Sequence, residues 1–284
     1  MWGGSLTDWL SSLPISTIGL FTLCLMIVSA IAGNYVRRMQ RRWSSRNSEE
    51  SEASIAQEGY LLGGVLGLLG LLLAFSFGMV LNRYEQRREL VMLEANAIGT
   101  AYLRAQLLDE PHRSRLGNLL LAYTDNRIKF AAHGETDQYR STNDRLLIEI
   151  WAAVRSARAS ALAHGVTTGL LIAFNEVIDL DAERKVAWQL RVPSEVLLLL
   201  LAYLSVTAGV VGNAIDGPRG RRAALVLFLL IALSLSVITD LNRAQLGRAR
   251  ESQGPMLMLL ESLKSQPPQV FEKFDASTVP SIPQ

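Results

Sequence analysis

The sequence predicts an all-α, polytopic membrane protein with two transmembrane helical hairpins, four spans in all, flanking a helical soluble domain. Three observations carry this. Four blocks, Leu13–Val36, Gly59–Asn82, Val196–Ile215 and Ala223–Thr239, contain no Asp, Glu, Lys or Arg. A membrane-spanning helix needs about 17–25 mostly apolar residues, and soluble core helices of that length rarely lack a charge. Between the second and third blocks, apolar residues recur at three-four spacing, the helical period. No segment alternates as a strand would.

The first span closes residues 1–36. Ala30-Ile31-Ala32 looks like a signal-peptide cleavage site, but residues 1–36 hold no Lys or Arg, so the basic n-region is missing. Arg37, Arg38, Arg41 and Arg42 follow the block. An uncleaved anchor fits this pattern. Residues 37–59 are polar and Ser/Glu-rich and read as a loop before span 2, residues 60–82.

Residues 83–193 form the soluble domain. Leu90, Leu93, Ala97, Ala101, Ala105 and Leu108 continue the helical spacing, so span 2 runs on as one long helix until Asp109-Glu110-Pro111 breaks it. Pro111 suits the first turn of the next helix. That helix turns Leu116, Leu119, Leu120 and Tyr123 inward and is capped by Gly134. A third helix carries Leu146, Leu147, Ile150, Val154 and Ala157 and ends near Gly165. A fourth holds Leu170, Leu171, Phe174, Val177 and Ile178. Ser194 is the expected N-cap of span 3, residues 194–215. A short basic loop, 216–222, leads to span 4, residues 223–240. Residues 241–284 read as a tail with a disordered Pro/Ser-rich end.

Positive residues in short loops favour the cytoplasm. The arginines after span 1 and Arg219, Arg221 and Arg222 therefore place the loops inside. The N-terminus and the soluble domain are then periplasmic, in the inner membrane of a bacterium. Basic residues such as Arg83 and Arg191 flank the spans on the other side, but short loops and the first helix weigh more.

Span 2 opens on GYLLGGVLGLLG, residues 59–70, with five glycines in twelve residues. Glycine costs about 1 kcal/mol relative to alanine in a helix. At 100° per residue, Gly59, Gly63, Gly67, Gly70, Ala74 and Gly78 fall within an arc of about 100°. Such a ridge lets another helix approach closely. The partner is either a neighbouring subunit around a pore or another span of the same chain. Leu62, Leu66, Leu69 and Leu73 form the opposite face. Ser76, Asn82, Arg83 and Arg87 complete the pore-lining or packing candidates. Beyond the span, Asn96, Thr100 and Arg104 form a polar line, and Asn175, Glu176 and Asp179 cluster on the fourth helix. Glu176 or Asp179 is expected to pair with Arg104 or Arg87. Asp240 stands at the edge of span 4.

No span carries a central charge, which ion-coupled transporters usually need. Cys24 is the sole cysteine, and His112, His133 and His164 are scattered, so no metal or cofactor is expected. The net charge of +2 excludes an argument for nucleic acid. No nucleophile or phosphate loop accompanies the carboxylates, so no enzyme is expected.

Residues 68–104, LLGLLLAFSFGMVLNRYEQRRELVMLEANAIGTAYLR, resemble the signature of the bestrophin-like domain family. Phe174–Asp179, Ile238–Leu241 with Arg243 and Gly247, and Ser252-Gln253 with Pro255 resemble further parts. The likeness runs in order over residues 60–262. It implies a two-plus-two arrangement of spans around a helical domain, and a relation to the bestrophin anion channels, which are pentamers. In those channels the helical domain is cytosolic, unlike the side the charge rule gives here. Ala244, where proline is frequent in the family, and the charged Arg248–Glu251 depart from the pattern.

Two functions follow. One is a homo-oligomeric ion channel, anion-conducting if Asn82, Arg83 and Arg87 concentrate anions at its mouth. The other is a membrane-anchored helical scaffold whose soluble domain binds a partner protein.

Overall fold

The structure, a computed structural model, describes residues 14–44, 52–133, 136–190, 192–215, 217–243 and 251–272. The expected Gly134 cap, Asp216, Ala244–Arg250 and the Pro/Ser-rich end lie outside these residues. The helices are α1 (Ile15–Ser44), α2 (Glu52–Ala105), α3 (His112–His133), α4 (Asp137–Ser156), α5 (Arg158–Ala163), α6 (Thr167–Gln189), α7 (Ser194–Ala214), α8 (Gly217–Asn242), α9 (Gly254–Ser265) and α10 (Pro268–Glu272). No strand occurs among the described residues. Segments of α1, α2, α7 and α8 are long and apolar enough to cross a membrane.

α2 is one helix of 54 residues, about 80 Å long at 1.5 Å per residue, against a hydrocarbon core of about 30 Å. Its apolar run stops at Asn82, and charged residues follow. The expected third helix is in fact two. α4 ends at Ser156, and α5 closes on Gly165 with φ +67°. There Val166 N donates to Ala161 O at 2.9 Å, the six-to-one bond of a Schellman stop, which needs a left-handed residue at Gly165.

The described residues fall into two compact units, one within 1–84 and 191–249, the other within 85–190 and 250–284. In the first, α1 packs on α7 and α8 around Met26, Leu200, Leu204, Val211 and Phe228, with Leu69 of α2. α1 and α7 meet backbone to backbone. A Cβ on Gly33 would lie 2.0 Å from Gly209 O, and one on Gly212 2.1 Å from Ala30 O. The hydroxyls of Thr22, Ser76, Ser205, Ser234, Ser236 and Thr239 all donate to the carbonyl four residues back. Each satisfies itself within its own helix, as membrane burial demands. Pro193, not Ser194, occupies the N-cap of α7, and no side chain caps it. The chain leading into α7 is fixed from elsewhere: Val192 N donates to Asn242 Oδ1 at 2.9 Å.

In the second unit, residues 91–105 of α2 pack with α3, α4, α6 and α9 around Ile98, Leu120, Ile150, Phe174 and Met256. The segment read as a tail is thus corrected over α9 and α10. Met256, Leu260 and Leu263 recur at helical spacing and are buried. Tyr102 donates to Gln266 O at 2.6 Å and its ring lies 6.5 Å from that of Phe271.

Candidate functional site: the open face of α2

Within the first unit, α2 has two unlike faces. Leu69, Ser76 and Val80 are buried, and Leu62, Leu66, Leu72 and Leu73 pack on the apolar clusters. The leucine face is therefore the one that meets the rest of the chain. Gly63, Gly67, Gly70, Ala74 and Gly78 are all exposed. A Cβ built on any of the glycines from Gly59 to Gly78 meets no described atom within 4 Å. Among the described residues no other span fills the ridge. Asn82 is exposed at its end, and Phe75, 68% exposed, stands beside it. The hydroxyl of Ser76 belongs to the buried face, where it bonds Leu72 O at 2.8 Å.

Most exposed residues of the other spans are bulky, among them Val28, Ile31, Leu199, Val206, Leu229, Leu230 and Leu233, with Ala32, Ala202 and Ser234 as smaller exceptions, and α2 itself exposes Leu61, Leu68 and Leu71 beside its glycines. Such surfaces suit acyl chains. A ridge of glycines offers lipid few atoms to touch but lets a helix backbone come close.

In the helical unit the polar line divides. Ala97, Ala101 and Ala105 are buried, Asn96 and Thr100 are exposed, and Arg104 Nη1 donates to Gly169 O. Arg87, expected at a pore mouth, is 2% exposed and pairs with Glu251 Oε1 at 2.5 Å. Its partner comes from the charged stretch that departs from the family pattern. Asn175, Glu176 and Asp179 are exposed on α6 and are not brought to Arg87 or Arg104. The expected pairing is corrected accordingly: those two arginines are held by Glu251 and by a backbone carbonyl. Arg83 and Asp240 are half-buried.

The sequence reading missed a buried ionic cluster joining α2, α3 and α6. Glu94 accepts from Tyr123 Oη at 2.6 Å and from Arg127 Nη2 at 3.2 Å, and it pairs with Arg184 Nη1. Arg127 Nη1 lies 3.3 Å from Asp181 Oδ1, which also accepts from Asn143 Nδ2 at 2.9 Å. Lys185 Nζ is 2.7 Å from Asp181 Oδ2. The Trp188 ring lies 5.3 Å from Arg127 Cζ and 5.2 Å from Arg184 Cζ, a cation–π arrangement. Burial pushes the Tyr123 hydroxyl well above its ordinary value, and the neighbouring Glu94 carboxylate adds to it. Tyr123 therefore stays a neutral donor. Two buried cations face two buried anions, so the cluster is balanced and acts as a clasp.

Asp109, Ser160 and His164 also meet, but not as a nucleophile with its base. Ser160 Oγ donates to Asp109 Oδ2 at 2.8 Å, and His164 Nε2 is 3.0 Å from Asp109 Oδ1. Both groups turn to the carboxylate rather than to each other, whereas an activated serine needs the imidazole on its own hydroxyl. The Ser160 bond, then that of His164, holds the Asp109 carboxyl below the usual carboxylate range. The contact ties the turn after α2 to α5. No group of metal-ligating side chains occurs among the described residues.

These features define an all-α, polytopic membrane protein with a helical domain inserted between two pairs of spans. The chain belongs to the bestrophin-like domain family, whose model matches residues 27–253. Its fold is that of a bacterial bestrophin homologue from Klebsiella pneumoniae. A tryptophan-to-alanine variant of that protein superposes with a TM-score of 0.62 at 14% identity, covering 89% of this chain and 96% of the other. An aspartate-to-alanine variant gives 0.57 at 14% identity, covering 87% and 97%. A serine-to-alanine variant described as a membrane protein gives 0.56 at 13% identity, covering 94% and 99%. None of the curated proteins matches the chain.

Proposed function

We propose that the protein is a homo-oligomeric membrane pore in which the open face of α2 turns toward a shared axis. The observation that carries this is the contrast between the unfilled glycine ridge of α2 and the bulky apolar residues exposed on the other spans. A small-residue face suits helix contact and a narrow passage better than lipid. Asn82 at the end of the ridge, and Asn96 and Thr100 on the exposed side of the extension, offer polar groups to ions. Membership in the bestrophin-like domain family, and likeness to the Klebsiella pneumoniae bestrophin homologue, support a channel.

Anion preference finds little support in side-chain charge. Arg87 is taken by Glu251, and the exposed Glu85 and Glu89 offset the exposed Arg88. Flux is therefore best measured for both potassium and chloride. The ridge itself gives the test. Gly67→Leu places a branched side chain at a position where an added Cβ meets no described atom within 4 Å. The folded protomer should persist, while the oligomer dissociates in mild detergent and liposome flux is lost. An oligomer unchanged by Gly67→Leu, with flux intact, would refute the arrangement. An oligomer that conducts neither ion would favour the scaffold reading.

The helical unit is proposed to lie on the periplasmic side, which the basic short loops favour. A cysteine introduced at exposed Ser141 should react with a membrane-impermeant maleimide in spheroplasts. Labelling only after lysis would reverse the topology.

A further inference from the structure

The membrane-spanning unit contains a cavity of about 360 Å³ between α1, α7 and α8. This falls within the range of about 300–1,000 Å³ that small-molecule sites occupy. We infer that it holds one acyl chain of an anionic phospholipid, whose phosphate sits between Arg38 and Arg221. This proposal is independent of conduction.

The lining is graded. Ile27, Val211, Leu225 and Phe228 form the apolar part, and Val211 and Phe228 are buried at its floor. Along α1 the lining runs from Ile27 to Arg38, and along α8 from Phe228 back to Arg221. Both arginines therefore stand at the same end. From Arg221 to Phe228 is about 10 Å along the helix at 1.5 Å per residue. An apolar slot with paired guanidiniums at one mouth matches an amphiphile with an anionic head, not a free ion and not a neutral lipid.

Among the described residues no carboxylate compensates this charge. No Asp or Glu lines the cavity, and among the described residues neither Arg38 nor Arg221 meets a carboxylate. Both guanidiniums are exposed at the ends of membrane-spanning helices, where basic pockets between helices bind anionic headgroups. Guanidinium forks suit phosphate oxygens in a bidentate fashion.

The experiment uses the purified full chain, equilibrated with equal phosphatidylglycerol and phosphatidylcholine, with retained lipid counted by native mass spectrometry. Phosphatidylglycerol should be retained preferentially. Arg38→Gln and Arg221→Gln should each reduce that preference about fivefold, as expected for one basic group at the lipid surface. Ala224→Phe, which puts an aromatic ring into the cavity while leaving both arginines, should also expel the lipid. Equal retention of the two lipids by the unaltered protein would overturn the proposal, whatever the variants do. So would unchanged preference in the double arginine variant. Displacement of phosphatidylglycerol by millimolar inorganic phosphate would show a free-anion site instead and equally overturn it.

Discussion

Glu94→Leu is expected to destabilise the helical unit by about 3–5 kcal/mol, the range for removing one partner of a buried ion pair. The carboxylate is fully buried and bridges two guanidiniums whose side chains are 1% exposed. Without it, Arg127 keeps Asp181 at 3.3 Å, but Arg184 loses its only carboxylate among the described residues. The Trp188 ring cannot replace an ion pair, since a cation–π contact is worth about 0.5–2 kcal/mol. The buried cluster then carries an excess positive charge in a low-dielectric interior. Adding Arg184→Leu removes that excess, so the double variant should be more stable than Glu94→Leu alone. Thermal midpoints and hydrogen exchange of α3 amides in detergent measure both. Glu176→Leu, on the exposed side of α6, serves as a control and should shift stability by no more than about 0.5 kcal/mol. A double variant no better than the single would mean that charge balance does not govern the clasp.

That cluster was partly legible beforehand. Glu94 stands one turn before Ile98 and Arg127 lies between Tyr123 and Phe130, each on the inward face that the apolar spacing marks. A charge on an inward stripe signals a buried pair, but spacing alone does not say which charge on another helix answers it. The acids that drew notice in α6, Glu176 and Asp179, lie on its outer side. Asp181 and Arg184, two and five residues after Asp179, turn inward. The four spans and the run-on helix of α2 could be read directly, because an uncharged run of membrane length has few alternatives. The role of α9 could not. Its Met256, Leu260 and Leu263 are too few to distinguish a docked helix from a free amphipathic one until the surface of α3 is known. Arg87 shows the same limit. Its position at the end of span 2 is plain, but its partner Glu251 lies 164 residues away.

Glycine patterning left its partner open, and that is instructive in another way. The conspicuous ridge, Gly59 to Gly78, packs against none of the described residues. The seam that does hold two helices together uses the sparser Gly33, Gly209 and Gly212. Density of glycine marks a face that something can approach, and only the fold says whether that something is the same polypeptide. The two sets should therefore respond to one methyl group with opposite signs. Gly212→Ala puts a Cβ 2.1 Å from Ala30 O, and Gly33→Ala one 2.0 Å from Gly209 O. Neither neighbour is a flexible side chain, so α1 and α7 must part. Separating packed elements costs about 1–3 kcal/mol or more, and the lost contacts outweigh the ~1 kcal/mol that alanine gains over glycine in a helix. At Gly67 no such clash exists, and Gly67→Ala should stabilise the dissociated protomer by roughly that helical gain, ~1 kcal/mol. If copies assemble on this ridge as proposed, the same methyl group intrudes on the neighbouring backbone, and subunit affinity should fall. Thermal midpoints of dissociated protomers, set beside the midpoint of dissociation, separate the two effects. If Gly67→Ala weakened the lone protomer as Gly212→Ala does, the ridge would be an internal seam, and no neighbouring copy would be needed to account for its glycines.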